Sequence, residues 1–328
     1  MRKTINIGDL GTIITGKTPP TTNKNYYGDY AVFIKPTDIS EQSKYTYETE
    51  EMYSKLAAEK YESSLIPKGA ICVPCIGTIG TKMTMTPCDC YTNQSINSII
   101  CNENYDNEYV YYLIKNFLPG LKAYNLGTAS GREYVSKSNF EKIELVAEQD
   151  QEIQKKIGII LSRYDSLIEN YQKQIKLLEE AAQRLYKEWF VDLRFPGHEN
   201  TKIVDGVPEG WTPSQLGQLA EFKRGKTITK KDVIDGDIPV VAGGLEPAYY
   251  CNKSNTAERV ITISGSGANA GFTRMYFEKV WASDCSFVDA SVTPFLHFVY
   301  CYLKANKTTI DNLQKGAAQP HVYAKDIN

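Results

Sequence analysis

Ile7-Gly8-Asp9-Leu10, followed by Gly16-Lys17-Thr18, returns 209 residues later as Leu216-Gly217-Gln218-Leu219, followed by Gly225-Lys226-Thr227. Further along, Val110-Tyr111 and Lys115 return as Val299-Tyr300 and Lys304, and Gly127, Ala129 and Tyr134 return as Gly316, Ala318 and Tyr323, all at a shift of 189. The 189 register runs from about position 71 to 135, so the first copy carries 20 extra residues between the two blocks. The chain is one text written twice. A two-copy chain with a rigid spacer holds two similar surfaces, which is what reading a two-part linear target requires.

The spacer is written between the copies. Apolar residues fall at Ile153, Ile157, Ile160, Tyr164, Leu167, Tyr171, Ile175, Leu178, Ala182, Leu185 and Trp189, with Glu, Lys, Arg and Gln on the other faces and no proline in the run. Steps of 3 and 4, with one doubled 4 at Tyr171 to Ile175, make a heptad seam with a stutter. At about 1.5 Å per residue such a helix spans roughly 55 Å, and its seam calls for a partner helix. Pro196, Gly197, Gly206, Pro208 and Gly210 then mark a linker. The expected fold is α+β: two similar mixed α/β domains, residues 1–147 and 211–328, joined by a long coiled-coil-type helix, 148–190, and a linker, 191–210. Ile71-Cys72-Val73-Pro74-Cys75-Ile76 reads as a strand, residues 107–118 as a helix, and Phe272-Thr273-Arg274-Met275 as a strand. By the 189 shift a second long helix is expected near position 337, whereas the sequence ends at Asn328.

Composition narrows the class. The 328 residues suit two domains and a connector, and 42% apolar with 23% charged residues is ordinary for a globular protein. No run approaches 18 apolar residues, and Met1-Arg2-Lys3-Thr4 leads into a strand-like pattern without an apolar signal segment, so a cytoplasmic protein with no membrane contact is expected. The 23 tyrosines suit binding surfaces, because each offers a flat face and a hydroxyl. A net charge of −2 gives a weak field for DNA, which leaves much of the phosphate-binding charge to partner subunits. Lys223, Arg224, Lys226, Lys230 and Lys231 nevertheless cluster without an acidic residue between them.

The catalytic motifs of the obvious enzyme classes are missing. Gly16-Lys17-Thr18 and Gly225-Lys226-Thr227 lack the earlier glycine of a phosphate loop, and Gly265-Ser266-Gly267-Ala268-Asn269-Ala270-Gly271 precedes a strand and not a helix. No Asn-Pro-Pro-aromatic motif occurs, and His198, His297 and His321 are scattered. Cys72, Cys75, Cys88 and Cys90 have a zinc-like spacing. The shift puts Ile261, Ser264, Phe277 and Lys279 at those positions in the second copy, and Cys72 sits in an apolar strand. No metal and no cofactor are expected in this chain.

The loop Gly77-Thr78-Ile79-Gly80 after a strand, Glu148-Gln149 before the long helix, the stretch Leu177-Leu178-Glu179 to Trp189-Phe190, the tail Phe195-Pro196-Gly197-His198-Glu199 and the entry Val207-Pro208-Glu209-Gly210-Trp211 together resemble the specificity subunit of Type I restriction–modification systems. The resemblance covers essentially the whole chain. It implies two target recognition domains, each reading half of a split double-stranded DNA site, with the helix setting the gap. It also implies modification subunits that transfer a methyl group from S-adenosylmethionine to adenine, and restriction subunits that use ATP, with Mg on those partners. The chain itself would be non-catalytic. The family's second helix, which pairs antiparallel with the first, is not found in the sequence. A chain of this form could be a fragment, a natural truncation or one that borrows a helix from a second copy, so a homodimer through the long helix is a further expectation.

Candidate DNA-binding residues are polar or basic and stand on glycine-bearing loops present in both copies, because small residues let the backbone approach phosphate while Arg, Lys, Gln and Asn reach base edges. They are Lys17, Thr18, Thr78, Lys82 and Arg132 in the first copy and Arg224, Lys226, Thr227, Ser266, Arg274, Gln319 and His321 in the second. The loop Gly77 to Lys82 is matched approximately with Gly265 to Arg274, and Ser130, Gly131 and Arg132 with Gln319, Pro320 and His321. Leu178, Ala182, Leu185, Trp189 and Phe190, at the more apolar end of the helix, are the candidate partner-binding residues. A competing reading keeps the architecture but makes it a coiled-coil scaffold with two modules that bind something other than DNA. The two readings separate by salt dependence, which phosphate contacts make steep.

Overall fold

The structure, a computed structural model, describes residues 1–77, 79–127, 131, 133–316 and 319–328. The chain forms two compact units, Met1–Lys173 and Gln174–Asn328. The helix Gln151–Tyr186 is continuous in its own hydrogen bonding and contributes its first part to one unit and its last part to the other.

Each unit repeats the same strand plan. In the first, Gly11–Thr15, Ile96–Cys101, Ile71–Pro74 and Thr84–Met85 lie side by side in that order as an antiparallel sheet. In the second, Lys223–Arg224, Cys285–Asp289, Val260–Ser264 and Thr273–Tyr276 take the same order. A smaller sheet in each contains one parallel pair, Ala31–Ile34 with Tyr91–Thr92 and Ile238–Val241 with Trp281–Ala282. The central strands are buried on both faces, and their Ile, Val and Cys content follows from that. The helices Asn107–Phe117 and Leu296–Ala305 close the two cores, burying Val110, Tyr111 and Ile114 in one and Val299 and Leu303 in the other. The strand over 71–76, the helix over 107–118 and the strand over 272–275 thus form within one or two residues of their expected bounds.

The ladders correct the register of the repeat. Thr15 stands opposite Asn97 and Arg224 opposite Ser286, so the blocks offset by 209 and by 189 meet across one antiparallel pair. The central strand does not follow 189. Val73 faces Asn97 and Ile263 faces Ser286, an offset of 190 between Val73 and Ile263. The bridges Ile76 to Tyr134 and Ser266 to His321 put the last segment at 187, the step from Tyr134 to His321. His321 therefore takes the place of Tyr134, which Tyr323 was expected to take. Strand register is set by hydrogen bonds and side-chain alternation, while loops absorb one or two residues at little cost. A constant shift counted along the chain misses such slips.

The long helix begins three residues later than Glu148. That residue ends the strand Glu144–Glu148, paired with Arg2–Asn6, and Asp150 caps the helix by accepting from the Glu152 and Ile153 amides at 2.9 and 3.3 Å. A π-helical turn, Lys187–Val191, follows it. The helix meets the first unit mainly through a polar stripe; of its heptad seam, Ile157 packs against that unit's core. Gln154 is fully buried; its oxygen accepts from the Asp106 amide at 2.9 Å and its nitrogen donates to the Glu148 carbonyl at 2.8 Å. Gly158 is obligatory, because a Cβ there would lie 2.7 Å from Cβ of Glu108. Asp165 accepts from the Tyr112 hydroxyl at 2.7 Å and lies 3.8 Å from Nζ of Lys115. Beyond Ile157 the apolar seam stays largely outside, with Tyr164 64% and Leu178 70% exposed.

Among the described residues no helix is long and apolar enough to cross a membrane, and no group of three or more His, Cys, Asp or Glu is placed to hold a metal ion. Cys72 lies buried on the central strand with its sulfur 3.3 Å from the Ser98 hydroxyl, whereas Cys88 is exposed. The zinc-like spacing therefore belongs to thiols in unlike surroundings.

Candidate nucleic-acid interface

The paired blocks meet at a junction that is built alike in both units. Gly16 donates its amide to Ile96 at 3.2 Å and Lys17 to Thr92 at 2.9 Å; Gly225 donates to Cys285 at 2.8 Å and Lys226 to Ala282 at 2.9 Å. A Cβ on Gly16 would lie 2.0 Å from the Thr92 carbonyl oxygen, and one on Gly225 2.3 Å from that of Ser283. The glycines are there because two backbones cross in contact. Each lysine carbonyl is held by an aromatic donor, the Tyr53 hydroxyl at 2.6 Å for Lys17 and the Trp281 indole at 2.7 Å for Lys226. With the main chain so fixed, the side chains of Lys17, Thr18, Lys226 and Thr227 are exposed. The Lys17 amine reaches the Ser63 hydroxyl at 3.5 Å, and the Thr18 hydroxyl donates to the Gln94 side chain.

In the second unit the junction opens onto a cleft of about 650 Å³ that gathers Arg224, Ser266, Gln319 and His321 from three separate stretches of chain. Four of the seven candidates in that copy thus share one wall. The bridge between Ser266 and His321 and the hydrogen bond from the Gly267 amide to the Pro320 carbonyl, 3.0 Å, hold the wall together. His321 is further clamped by reciprocal 2.8 Å backbone bonds with Lys315, and its ring stacks on Tyr323 at 5.9 Å between centroids. Asp284, Tyr323 and Lys325 also line the cleft; the repeat marks Tyr323, whereas nothing in the local pattern of Asp284 and Lys325 sets them apart. Tyr323 is 38% exposed and belongs to this surface, not to the core.

Arg274 is placed elsewhere. Its guanidinium donates to the Leu245 carbonyl at 2.8 Å, pairs with Glu246 at 3.2 Å and lies over the Tyr276 ring. It is one residue of the strand Thr273–Tyr276 and does not line the cleft. In the first unit Lys82 is half-buried on the loop after Gly80. Thr78 and Arg132, with Ser130 and Ala129, lie outside the described residues, as does Ala318 in the second unit.

The same frame carries different chemistry in the two units. Opposite partners in the ladder are Thr15 and Asn97 in one, joined by a 2.6 Å bond between Oγ1 and Oδ1, and Arg224 and Ser286 in the other. Ile76 and Tyr134 bridge in one where Ser266 and His321 bridge in the other. Ser95 accepts from the Cys75 amide at 2.7 Å where Asp284 accepts from the Gly265 amide at 3.1 Å. Backbone geometry is kept between the copies while the side chains on it are not.

The candidate partner residues divide. Leu178 and Ala182 line an apolar groove with Ile175, Met275, Phe277 and Tyr300, and Leu185 is 50% exposed. Phe190 joins an aromatic cluster of its own unit while staying 37% exposed, its ring 4.8 Å from Phe298 and 6.2 Å from Trp211 between centroids, and Trp189 lies against it at 6.4 Å. Tyr186, which the sequence reading passed over, is the buried member of this aromatic cluster, 5.5 Å from Phe298.

Comparison with known proteins agrees with this geometry. The family model described as "Type I restriction modification DNA specificity domain" matches residues 2–180 and 208–328. The chain is similar to the Type I restriction enzyme MjaIX specificity subunit of Methanocaldococcus jannaschii, at 26% identity over 98% of this chain and 80% of that one. It is also similar to the HindI specificity subunit of Haemophilus influenzae, at 37% identity over 48% of this chain and 35% of that one. The crystal structure of a Type I restriction–modification S subunit from M. genitalium superposes with a TM-score of 0.59 at 18% identity, over 95% of this chain and 79% of that one, a likeness of fold. The two matched segments fall on the two repeated units, and the chain belongs to the Type I restriction–modification DNA specificity family.

Proposed function

We propose that this chain reads a bipartite double-stranded DNA target, residues 1–147 reading one half and residues 211–328 the other, and that it directs adenine methylation and restriction by partner subunits without catalysing either step. The observation that carries this is the repeated junction: one backbone frame, rigidly hydrogen-bonded, that presents Tyr134 in one copy and Arg224 and His321 in the other. Two copies with equal side chains would suit a symmetric target; unequal ones suit two different half-sites. Modification subunits would bring S-adenosylmethionine, and restriction subunits ATP and Mg. With a net charge of −2 on this chain, those partners would also supply much of the phosphate contact. The exposed seam around Leu178 and Leu185 is the docking face we assign to a modification subunit, or to the helix of a second copy, in a cytoplasmic complex.

The test is the adenine methylation pattern of DNA from cells that hold this chain with its modification subunit. A split motif with unlike halves is expected, and exchanging residues 1–147 for those of a relative should change one half alone. Simultaneous change of both halves would refute the modular assignment.

A further inference from the structure

Asp284 is the one carboxylate lining the second unit's cleft among the described residues; its neighbours there include Arg224, Ser286, Gln319, His321 and Lys325. A surface that follows phosphates has no use for it, because a carboxylate repels phosphate and can accept hydrogen bonds but not donate them. Nor is it neutralised locally, for it takes part in no ion pair among the described residues. It is nonetheless held in a definite pose. Its carbonyl accepts from the Gly265 amide at 3.1 Å, and its Oδ2 accepts from the Ser266 hydroxyl. Oδ1 lies 3.3 Å from the point a Cβ on Gly265 would occupy, so a side chain there would press on the carboxylate and shift its pose. Gly243 has the same relation to Ser266, whose carbonyl oxygen a Cβ would meet at 2.8 Å. Among the described residues, the buttress of Gly243, Gly265 and Ser266 has no equivalent in the first unit. Cys75 and Ile76 stand at the positions of Gly265 and Ser266, and Ser95 at that of Asp284.

We infer that Asp284 is a specificity-determining residue that reads a cytosine amino group in the half-site of the second unit. The inference rests on the DNA-recognition reading above. Base edges in the major groove offer two amino donors, cytosine N4 and adenine N6. Adenine also presents its N7 acceptor, which suits Asn or Gln and faces a carboxylate unfavourably. Ser266 cannot supply the missing donor, because its hydroxyl is committed to Asp284. Cytosine is the base left, and Arg224 and Gln319 on the same wall have the donors for purine edges.

The experiment uses the assembled complex of this chain with its modification subunits and a pool of duplexes randomised over the target. Wild type is expected to select a split motif with cytosine at one position of one half. D284N keeps an acceptor for the Ser266 hydroxyl, and D284A removes it; both should lower the preference for cytosine at that position about tenfold or more, by the discrimination a good base contact provides, with the other half unchanged. Replacing that cytosine by N4-methylcytosine, which keeps the proton that pairs with guanine and puts a methyl group in place of the one facing the major groove, should weaken wild type by a similar factor and leave D284A indifferent. An unaltered motif in both variants, or equal loss at every position of both halves, would overturn the assignment. Failure of wild type to select any split motif would instead overturn the bipartite reading itself.

Discussion

At the residue scale, the repeat is written in glycines whose absent Cβ atoms matter. Gly16→Ala and Gly225→Ala would each drive a methyl group into a carbonyl oxygen of the crossing backbone, that of Thr92 or Ser283, so each should destabilise its unit by about 1–3 kcal/mol. Urea denaturation of the two variants checks this; unchanged midpoints would mean that the backbones do not cross as closely as described. Lys44 makes a second case. Its side chain is 2% exposed, pairs with Glu108 and lies 5.1 to 5.3 Å from the ring centroids of Tyr45, Tyr111 and Tyr112. Burial, with the Glu108 and Asp165 carboxylates nearby, pushes the hydroxyls of those tyrosines up. Since Glu108 is about one-third exposed and can recover water, Lys44→Met should cost less than a fully buried pair, about 1–3 kcal/mol. Adding Glu108→Gln should return part of that loss, and a double-mutant cycle with no coupling would refute the pairing.

At the scale of the element, the central strands carry cysteines as small apolar residues. Burial pushes the thiols of Cys72, Cys75 and Cys285 up to about 12 from an ordinary 9.0. The fold therefore binds these protons more tightly than the unfolded chain does. Their contribution is fully present below pH 9 and is lost as pH rises from 9 toward 12. Denaturant midpoints should fall across that window, and alkylation at pH 8 should label exposed Cys88 ahead of Cys72, Cys75 and Cys285. Rapid native labelling of Cys72 would contradict its placement on the strand. The long helix is the other telling element. Its polar stripe, Gln154, Gly158 and Asp165, fastens it to the first unit, so the apolar seam is left for something else. Leu178→Glu with Leu185→Glu should abolish assembly with the modification subunit in size-exclusion chromatography while leaving thermal unfolding nearly unchanged, because both side chains are exposed.

For the whole molecule, two units on one frame with unlike side chains predict, under the proposed function, separable control of half-sites and gap. Inserting seven residues, two helical turns, into the helix between Tyr164 and Tyr171 keeps the seam in phase. It should lengthen the unspecified gap of the methylated motif and leave both half-sites as they were. A change of half-site bases would place readout on the helix and away from the loops.

Much of this was legible along the chain. The repeat, the heptad seam and the linker are periodic or compositional, and such signals survive in one dimension because a strand or helix is built from neighbours in sequence. They determined two alike domains and a helix, and the quoted motifs determined the family. Tertiary structure decided what adjacency in space requires. It moved the register to 190 and 187 where loops differ, put His321 in the place of Tyr134, drew Arg274 into a pair with Glu246, set Phe190 against Phe298 of its own unit and brought Asp284 to the cleft. Each of these depends on which strands pair and how the intervening loops close, and loop closure costs nearly the same for one residue more or less. The count of residues between two strands therefore carries almost no trace of which side chains will face each other.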